Sequence, residues 1–388
     1  MSARRRVLVP CGTRPEIIKL APVVRALRAA GHAVTTVDTG QHASAELGAA
    51  RYAELGLPVD IALTLPAHDQ AARLGALTAG AVATVARVRP DLVLALGDTA
   101  TVPAYALAAR GLGVPFGHLE AGLRSFNQRS VEEVNRRVAA ATAQVHFAPT
   151  RQAAAFLAAE GVEDERVFVV GNPVIDALRE RGAAPVPPAR RTGVLVTAHR
   201  PTNVDDPVRL ARLARLVEAL AAQVGPVTFP VHPRTADRLR AAGLEARLAA
   251  APDVTLAAPL AYDGMLAALA AARVVVTDSG GVQEEAAYLG VPVVVLRRST
   301  PRWEGVTAGS AVLSGLTTDD EADRALAAAR ALQTPGSLAR LAARECPYGD
   351  GTTGAQVAEI LGRPELDRLL DLVEPDFTDG VLPGRLPA

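Results

Sequence analysis

Three acids fall where apolar runs end. Asp98 closes one run in Leu96-Gly97-Asp98-Thr99, and Glu120 closes the next in His118-Leu119-Glu120-Ala121-Gly122-Leu123-Arg124. Glu132 follows beside Glu133 in Val131-Glu132-Glu133-Val134-Asn135-Arg136. Carboxylates that converge on one site raise each other's proton affinity, which suits them to give and take protons. Taken singly, each is equally well read as a helix cap or a surface ion-pair partner, Asp98 before Thr99 above all. A histidine and an arginine stand together at another such end, in Thr197-Ala198-His199-Arg200-Pro201, and two adjacent basic groups suit a diphosphate. His232, in Val231-His232-Pro233, is read as structural.

Two glycine turns complete the set. Gly12-Thr13-Arg14-Pro15-Glu16 follows the apolar run Val7 to Pro10, and Thr277-Asp278-Ser279-Gly280-Gly281-Val282-Gln283-Glu284-Glu285 follows Arg273 to Val276. A strand that feeds a helix through small residues presents backbone N–H groups and the positive end of the helix dipole, and phosphate is the usual guest. One such turn in each half predicts a diphosphate gripped between two domains. Arg14 offers a forked cation, and Glu284 or Glu285 can accept from ribose hydroxyls. Lys19 reads equally as a helix partner of Glu16 or as a ligand contact. The first turn lacks the Gly-x-Gly-x-x-Gly fingerprint, and Gly-x-x-x-x-Gly-Lys-Ser/Thr is absent from the sequence, which disfavours a nicotinamide dehydrogenase and a P-loop ATPase.

Short β-rich runs alternate with Ala/Leu/Arg-rich helical stretches and must position these residues. The first half offers strands at Val34–Val37, Leu92–Leu96, Val114–His118, Val145–Ala148 and Val167–Val170. The second offers Gly193–Thr197, Val227–Val231, Val254–Ala257, Val274–Thr277 and Val293–Leu296. Near-continuous apolar strands separated by helices imply parallel sheets covered on both faces. The expected fold is α/β, two doubly wound Rossmann-like domains facing across a deep cleft. Gly182 to Arg191, rich in proline, reads as a linker or loop.

Composition narrows the class. The 388 residues are enough for two domains, and the cores must rest on Val, Leu and Ala, since apolar residues make up 49% and aromatics 3%. The 41 basic residues balance 41 acidic ones, so charge gives no case for nucleic acid or an anionic membrane. Of the basic residues only Lys19 is lysine. No segment reads as long and apolar enough to span a bilayer, and the apolar run after Arg4–Arg6 is too short for a signal peptide. Cys11 and Cys346 give neither a disulfide framework nor a metal spacing, and Cys11 is expected to be a buried thiol. A soluble, cytoplasmic protein is expected.

Together these motifs resemble one family, the non-hydrolysing UDP-N-acetylglucosamine 2-epimerases, which have the B-type glycosyltransferase fold. The likeness runs through Gly12 to Glu16, Thr39-Gly40-Gln41-His42, Gly97-Asp98-Thr99, His118 to Arg124 and Glu132 to Arg136. It continues through Phe147-Ala148-Pro149-Thr150, Gly171-Asn172-Pro173, Thr197 to Arg200, Thr277 to Glu285 and Pro347-Tyr348-Gly349-Asp350-Gly351. The resemblance implies an N-terminal Rossmann-like domain over 1–173, a UDP-binding domain over 174–350, and a C-terminal helix returning to the first domain within 351–388. It implies interconversion of UDP-N-acetylglucosamine and UDP-N-acetylmannosamine: the C2 proton and UDP leave together, and UDP re-adds to a glycal with protonation on the other face. Asp98, Glu120, Glu132, Arg136 and His199 are then the catalytic set. Arg14, Lys19, His199, Met265, Ser279, Gly280, Gly281, Glu285 and Arg302 are the UDP-binding set. No cofactor or metal is implied, and a homodimer is.

The chain departs from the family pattern at Val131, which replaces a proline, and at Pro201-Thr202 after His199-Arg200. It departs again in Arg297-Arg298-Ser299-Thr300-Pro301-Arg302-Trp303-Glu304, and Met265 replaces an aromatic near the uracil. Some bacterial members carry a regulatory substrate site just after Thr-Gly-Gln-His. Ala43 and Ser44 stand there, so that regulation is not expected. A variant UDP-amino sugar such as UDP-glucosamine, or a hydrolysing 2-epimerase releasing the free sugar and UDP, are the alternatives.

Overall fold

The computed structural model describes residues 3–41, 52, 56–66, 69–372, 374 and 378, which leaves His42, Ala43 and Ser44 outside the described residues. The chain divides into two compact units, Met1–Ala177 with Gly349–Ala388, and Leu178–Tyr348. The helix Pro173–Glu180 carries the chain across the first of these divisions.

The first unit holds β1 (Arg6–Cys11), β2 (Ala33–Asp38), β3 (Ile61–Ala62), β4 (Leu92–Leu96), β5 (Phe116–Leu119), β6 (Val145–Ala148) and β7 (Val167–Val169), in the order β3-β2-β1-β4-β5-β6-β7. Every pairing is parallel. Both faces are covered, as the apolar strands require. On one face Val9, Leu94 and Phe147 pack with Leu20 and Leu27 of the helix Arg14–Ala29 and with Val357 and Leu361 of the helix Thr353–Leu361. On the other, Leu8, Val93 and Ala95 meet Leu77, Val102 and Tyr105. The C-terminal helix is held at both ends. Asp176 accepts from Thr353 N (3.2 Å) and Gly354 N (2.8 Å), while Arg5 donates to Leu361 O (2.7 Å), Arg363 O (3.3 Å) and Asp367 Oδ1 (2.7 Å).

The second unit holds β8 (Val194–Thr197), β9 (Val227–Pro230), β10 (Val254–Ala257), β11 (Val274–Thr277), β12 (Val293–Val295) and β13 (Ala311–Leu313), in the order β10-β9-β8-β11-β12-β13. It too is parallel throughout. Each sheet is thus doubly wound, its strand order reversing beside the first strand, at β1/β4 and at β8/β11. Ligands of such sheets settle beyond the strand ends at those reversals.

Two features add to the sequence reading and one departs from it. β3 and β13 are additional edge strands, two and three residues long. The Gly182–Arg191 stretch is packed: Ala183 and Val186 join the second unit's core, and buried Arg191 donates to Leu289 O (2.9 Å) and Val186 O (2.8 Å). The helix Gln70–Val88 is, by length and mean hydropathy (1.2), apolar enough to cross a membrane, against the sequence reading. Its Ala, Gly, Thr and Val content carries few charges, and its buried stripe of Leu77, Ala81 and Val85 lies on the first unit's sheet.

Candidate functional site

At the first reversal, β1 ends against Gly12, where any larger residue would force a shift: a Cβ would lie 2.0 Å from Thr39 Oγ1. The amides of Gly12 and Thr13, expected from the sequence to face a ligand, are taken by a side chain. Glu16 Oε2 accepts from Gly12 N (2.9 Å), Thr13 N (2.7 Å) and the Thr13 hydroxyl (2.9 Å), and its Oε1 accepts from the Thr99 hydroxyl (2.6 Å). A carboxylate at the helix N-terminus has taken the anion's place. Burial pushes the Glu16 carboxyl up, with these bonds opposing. Arg14, half-buried, opens the helix beside it.

Pairing of Leu96 with Leu119 across β4 and β5 sets Gly97-Asp98 beside Glu120. A Cβ on Gly97 would stand 3.6 Å from Glu120 Oε2, and the φ of +83° there favours glycine in any case. Glu120 itself has φ +59°, a left-handed backbone that costs a glutamate of the order of 1 kcal/mol and is held by the surrounding structure. Its buried carboxylate is ion-paired with Lys19, and Asn172 Nδ2 donates to Oε1 at 2.8 Å. Lys19 is 5% exposed, so its ammonium faces Glu120 from inside the unit.

Asp98 has a different setting. Arg136 Nη2 donates to Asp98 Oδ2, and Asn135 Nδ2 donates to Asp98 O at 2.8 Å, both from the helix Val131–Thr142. Glu133, the buried acid of its pair, accepts from Arg136 Nη1 at 2.7 Å, while Glu132, half-buried, accepts from the Ser130 hydroxyl. Beneath both acids His118 is fully buried and donates from Nε2 to Gly97 O (2.8 Å). Burial lowers its pKa to about 4, so it stays neutral.

At the second reversal Asp278 organises the strand ends. Fully buried, it accepts from His199 N (3.1 Å), Arg200 N (3.0 Å) and Asn203 Nδ2 (3.1 Å), and Arg200 Nε donates to Asp278 O (3.0 Å). The His199 ring is left 42% exposed, 3.6 Å from Asp278 Oδ1 through Nδ1 and 5.5 Å from the His232 ring. His232 accepts from Arg234 N (3.2 Å), capping the helix Pro233–Ala241. Burial lowers its pKa, with the neighbouring His199 adding to the effect.

Ser279 precedes the helix Gly280–Tyr288, whose first turn leads with the amides of Gly280 and Gly281. The Arg302 guanidinium lies 3.2 Å from where a Gly280 Cβ would sit and donates to Glu284 Oε1 at 2.8 Å. Its loop is pinned by Thr300, which accepts from Arg302 N (3.1 Å) and donates to Gln283 Oε1 (2.9 Å). A helix N-terminus with a guanidinium over it has the chemistry to receive an anion. Glu284 is engaged by Arg302, and Glu285 accepts from Tyr262 OH (2.9 Å). Met265 is half-buried against the core around Leu269 and Val282.

The structure therefore brings Asp98 to Arg136 and Glu120 to Lys19 in the first unit, and gathers His199, Ser279, Gly280, Gly281, Arg302 and Glu285 at the second unit's reversal. Sequence reasoning passed over Asp278, Asn172, Asn135 and the structural work of Glu133. Asn172 was visible only as part of a chain break, and Asp278 only as one letter of a turn.

The profile of the UDP-N-acetylglucosamine 2-epimerase family matches residues 25–362. The UDP-2,3-diacetamido-2,3-dideoxy-D-glucuronate 2-epimerase of Pseudomonas aeruginosa is 34% identical over 367 residues, 92% of this chain and 99% of its own. The UDP-N-acetylglucosamine 2-epimerase of Methanocaldococcus jannaschii is 33% identical over 363 residues, 90% of this chain and 97% of its own. Its crystal structure with UDP-GlcNAc and UDP superposes with a TM-score of 0.81 at 31% identity, covering 92% of this chain and 99% of that one. The Neisseria meningitidis enzyme bound to UDP-GlcNAc gives 0.78 at 31% identity, with the same coverage.

Proposed function

The chain belongs to the UDP-N-acetylglucosamine 2-epimerase family, and from that premise we propose that it interconverts UDP-N-acetylglucosamine and UDP-N-acetylmannosamine without a cofactor. The observation that carries this is the chemical division of labour between the two strand-order reversals. Asp98, half-buried against Arg136, and Glu120, buried against Lys19, stand at one. A helix N-terminus, Arg302 and His199 stand at the other.

In the proposed reaction a carboxylate of the set Asp98, Glu120 and Glu132 takes the C2 proton. The C2–H electron pair becomes the C1=C2 bond of a glycal, and the C1–O bond breaks with its electrons leaving on UDP. Arg302, His199, Arg14 and the Gly280–Gly281 amides meet the diphosphate charge, and Glu285 the ribose. Return of UDP to C1 with a proton delivered to the opposite face of C2 completes the exchange. Acid/base groups contribute about 10²–10⁴-fold and charge stabilisation much of the rest. The buried Lys19 serves here through Glu120, and Met265 borders the uracil. Glu133 being committed to Arg136 supports Glu132 as the sugar-facing acid of its pair.

Proton NMR of UDP-N-acetylglucosamine with the protein in deuterated water tests the reading. Deuterium at C2 with UDP-N-acetylmannosamine appearing is expected; free N-acetylmannosamine would mean hydrolysis, and absence of exchange would refute the substrate. A second reading, the same chemistry on a variant UDP-amino sugar, draws on the Pseudomonas aeruginosa relative, which is as similar as the N-acetylglucosamine enzymes. Turnover of UDP-glucosamine and of 2,3-diacetamido sugars in the same assay separates the two.

A cytoplasmic homodimer fits this reading. The two cysteines are free thiols, and the helix Gln70–Val88 leaves Leu74 and Val82 exposed (53% and 41%) on an apolar face suited to a second copy. Leu74→Glu is expected to give a monomer by light scattering, and an unchanged mass would remove this face from the interface.

A further inference from the structure

We propose that Glu133 is a positioning residue that sets, through Arg136, both the orientation and the proton affinity of Asp98. The proposal deepens the functional reading and rests on it, since Asp98 is there an acid/base group.

Arg136 lies between two carboxylates, with Nη1 on Glu133 Oε2 at 2.7 Å and Nη2 on Asp98 Oδ2. Glu133 is 2% exposed and multiply held: its Oε2 accepts from Ser125 N (2.8 Å) and the Ser125 hydroxyl (2.9 Å), and its Oε1 from Phe126 N (3.2 Å). Burial alone would push its carboxyl up, but the Ser125 bonds, the Arg136 charge and the Phe126 bond hold it below the usual range. It is therefore ionised at neutral pH.

A lone guanidinium against Asp98 would favour the ionised carboxylate strongly. That suits a base and hinders a group that must carry a proton for part of the cycle. With Glu133 ionised, the trio of Glu133, Arg136 and Asp98 carries one net negative charge, so Arg136 fixes Asp98 in place while its electrostatic pull is partly cancelled. The other charged groups around the trio are the Lys19–Glu120 pair and Glu16, which is joined to Asp98 through Thr99. Arg137 stands 3.9 Å from Glu133 and 3.4 Å from Glu160, Glu160 in turn pairs with Arg124, and His118 is neutral. Glu132, the chain neighbour of Glu133, stands beside them. In Glu133→Gln each of these keeps its own charge, and Arg137 alone loses a carboxylate, the one 3.9 Å away.

The test reads the Asp98 carboxyl directly by carbon-13 NMR titration, assigned with Asp98→Asn, alongside epimerase kinetics. In Glu133→Gln the Asp98 titration is expected to move down by about one pH unit. kcat should fall about tenfold or more while KM changes little, because the loss falls on the proton-transfer step. Glu133→Asp, which keeps the charge but draws it back from Arg136, moves the titration less and in the same direction, and carries the test alone if the amide variant does not fold. Ser125→Ala removes a hydrogen bond to Glu133 without removing the charge, and leaves the Asp98 titration in place. An unmoved Asp98 in both Glu133 variants, or an equal movement in Ser125→Ala, overturns the proposal. The titration needs no substrate, so a shift in a protein that fails to exchange the C2 hydrogen supports the coupling and retires the epimerase reading alone.

Discussion

Acidification should loosen the first unit between pH 6.5 and about 4, and His118 is a main cause. In the folded chain its pKa falls from 6.5 to about 4, first through burial, with its bond to Gly97 opposing. Folding thus depresses the pKa: above 6.5 both folded and unfolded forms are neutral and the stabilisation is complete. As pH falls through this window the unfolded chain gains a proton that the folded chain refuses, and stability declines until about pH 4. The gap between 6.5 and about 4 is worth roughly 3 kcal/mol at 1.36 kcal/mol per pH unit. His146, paired with His118 across β5 and β6, moves the same way to about 3, through burial and then through His118 itself. Two protons taken up on unfolding give a slope of about 2.7 kcal/mol per pH unit near pH 5. His118→Gln keeps an N–H for Gly97 O and removes one of the two protons, so its slope should be about half. Urea unfolding at several pH values, followed by amide exchange in peptides covering Phe116–Leu119 and Val145–Ala148, measures both slopes. Equal slopes in the parent and His118→Gln, or a His118 resonance titrating near 6.5, would refute the reasoning.

Three further outcomes follow from single contacts. Gly12→Ala places a methyl 2.0 Å from Thr39 Oγ1 and should cost about 3 kcal/mol, seen as a lowered unfolding midpoint of the first unit. Asp278→Ala leaves His199 N, Arg200 N and Asn203 Nδ2 without their buried acceptor, so it should destabilise the second unit by about 3 kcal/mol or more; fluorescence of Trp303, the chain's one tryptophan, reports it. Arg5→Ala releases Leu361 O, Arg363 O and Asp367, and exchange of amides over Leu361–Leu370 should quicken about tenfold by mass spectrometry, the equivalent of 1.4 kcal/mol.

The parallel sheets were readable because Leu92–Leu96 or Val274–Thr277 can only be buried on both faces, and the residues at their ends then mark the reversals. β3 and β13 were too short to carry a pattern. The first glycine turn misled because a backbone turn looks alike whether a ligand or a side chain fills it. The spacing Thr13-x-x-Glu16, a capping-box signature, was the local signal that Glu16 would fill it. The acids at 132 and 133 stand at i,i+4 and i,i+3 to Arg136, so helical spacing lets either reach it, and only the fold shows that the buried Glu133 does. Contacts such as Lys19 with Glu120 and Asn172 with Glu120 join residues far apart in the chain, and no local spacing foretells them.

Lys19 also makes the molecule unusual toward covalent reagents. It is the single lysine in the chain, and in the folded first unit its amine is 5% exposed and bound to a carboxylate. Amine-acylating reagents added to the native protein should therefore leave this side chain unmarked. Only when the first unit opens does its amine come within reach. A short pulse of such a reagent, followed by counting added groups by intact mass, turns that one residue into a clock for the opening of the half of the molecule that holds the acids.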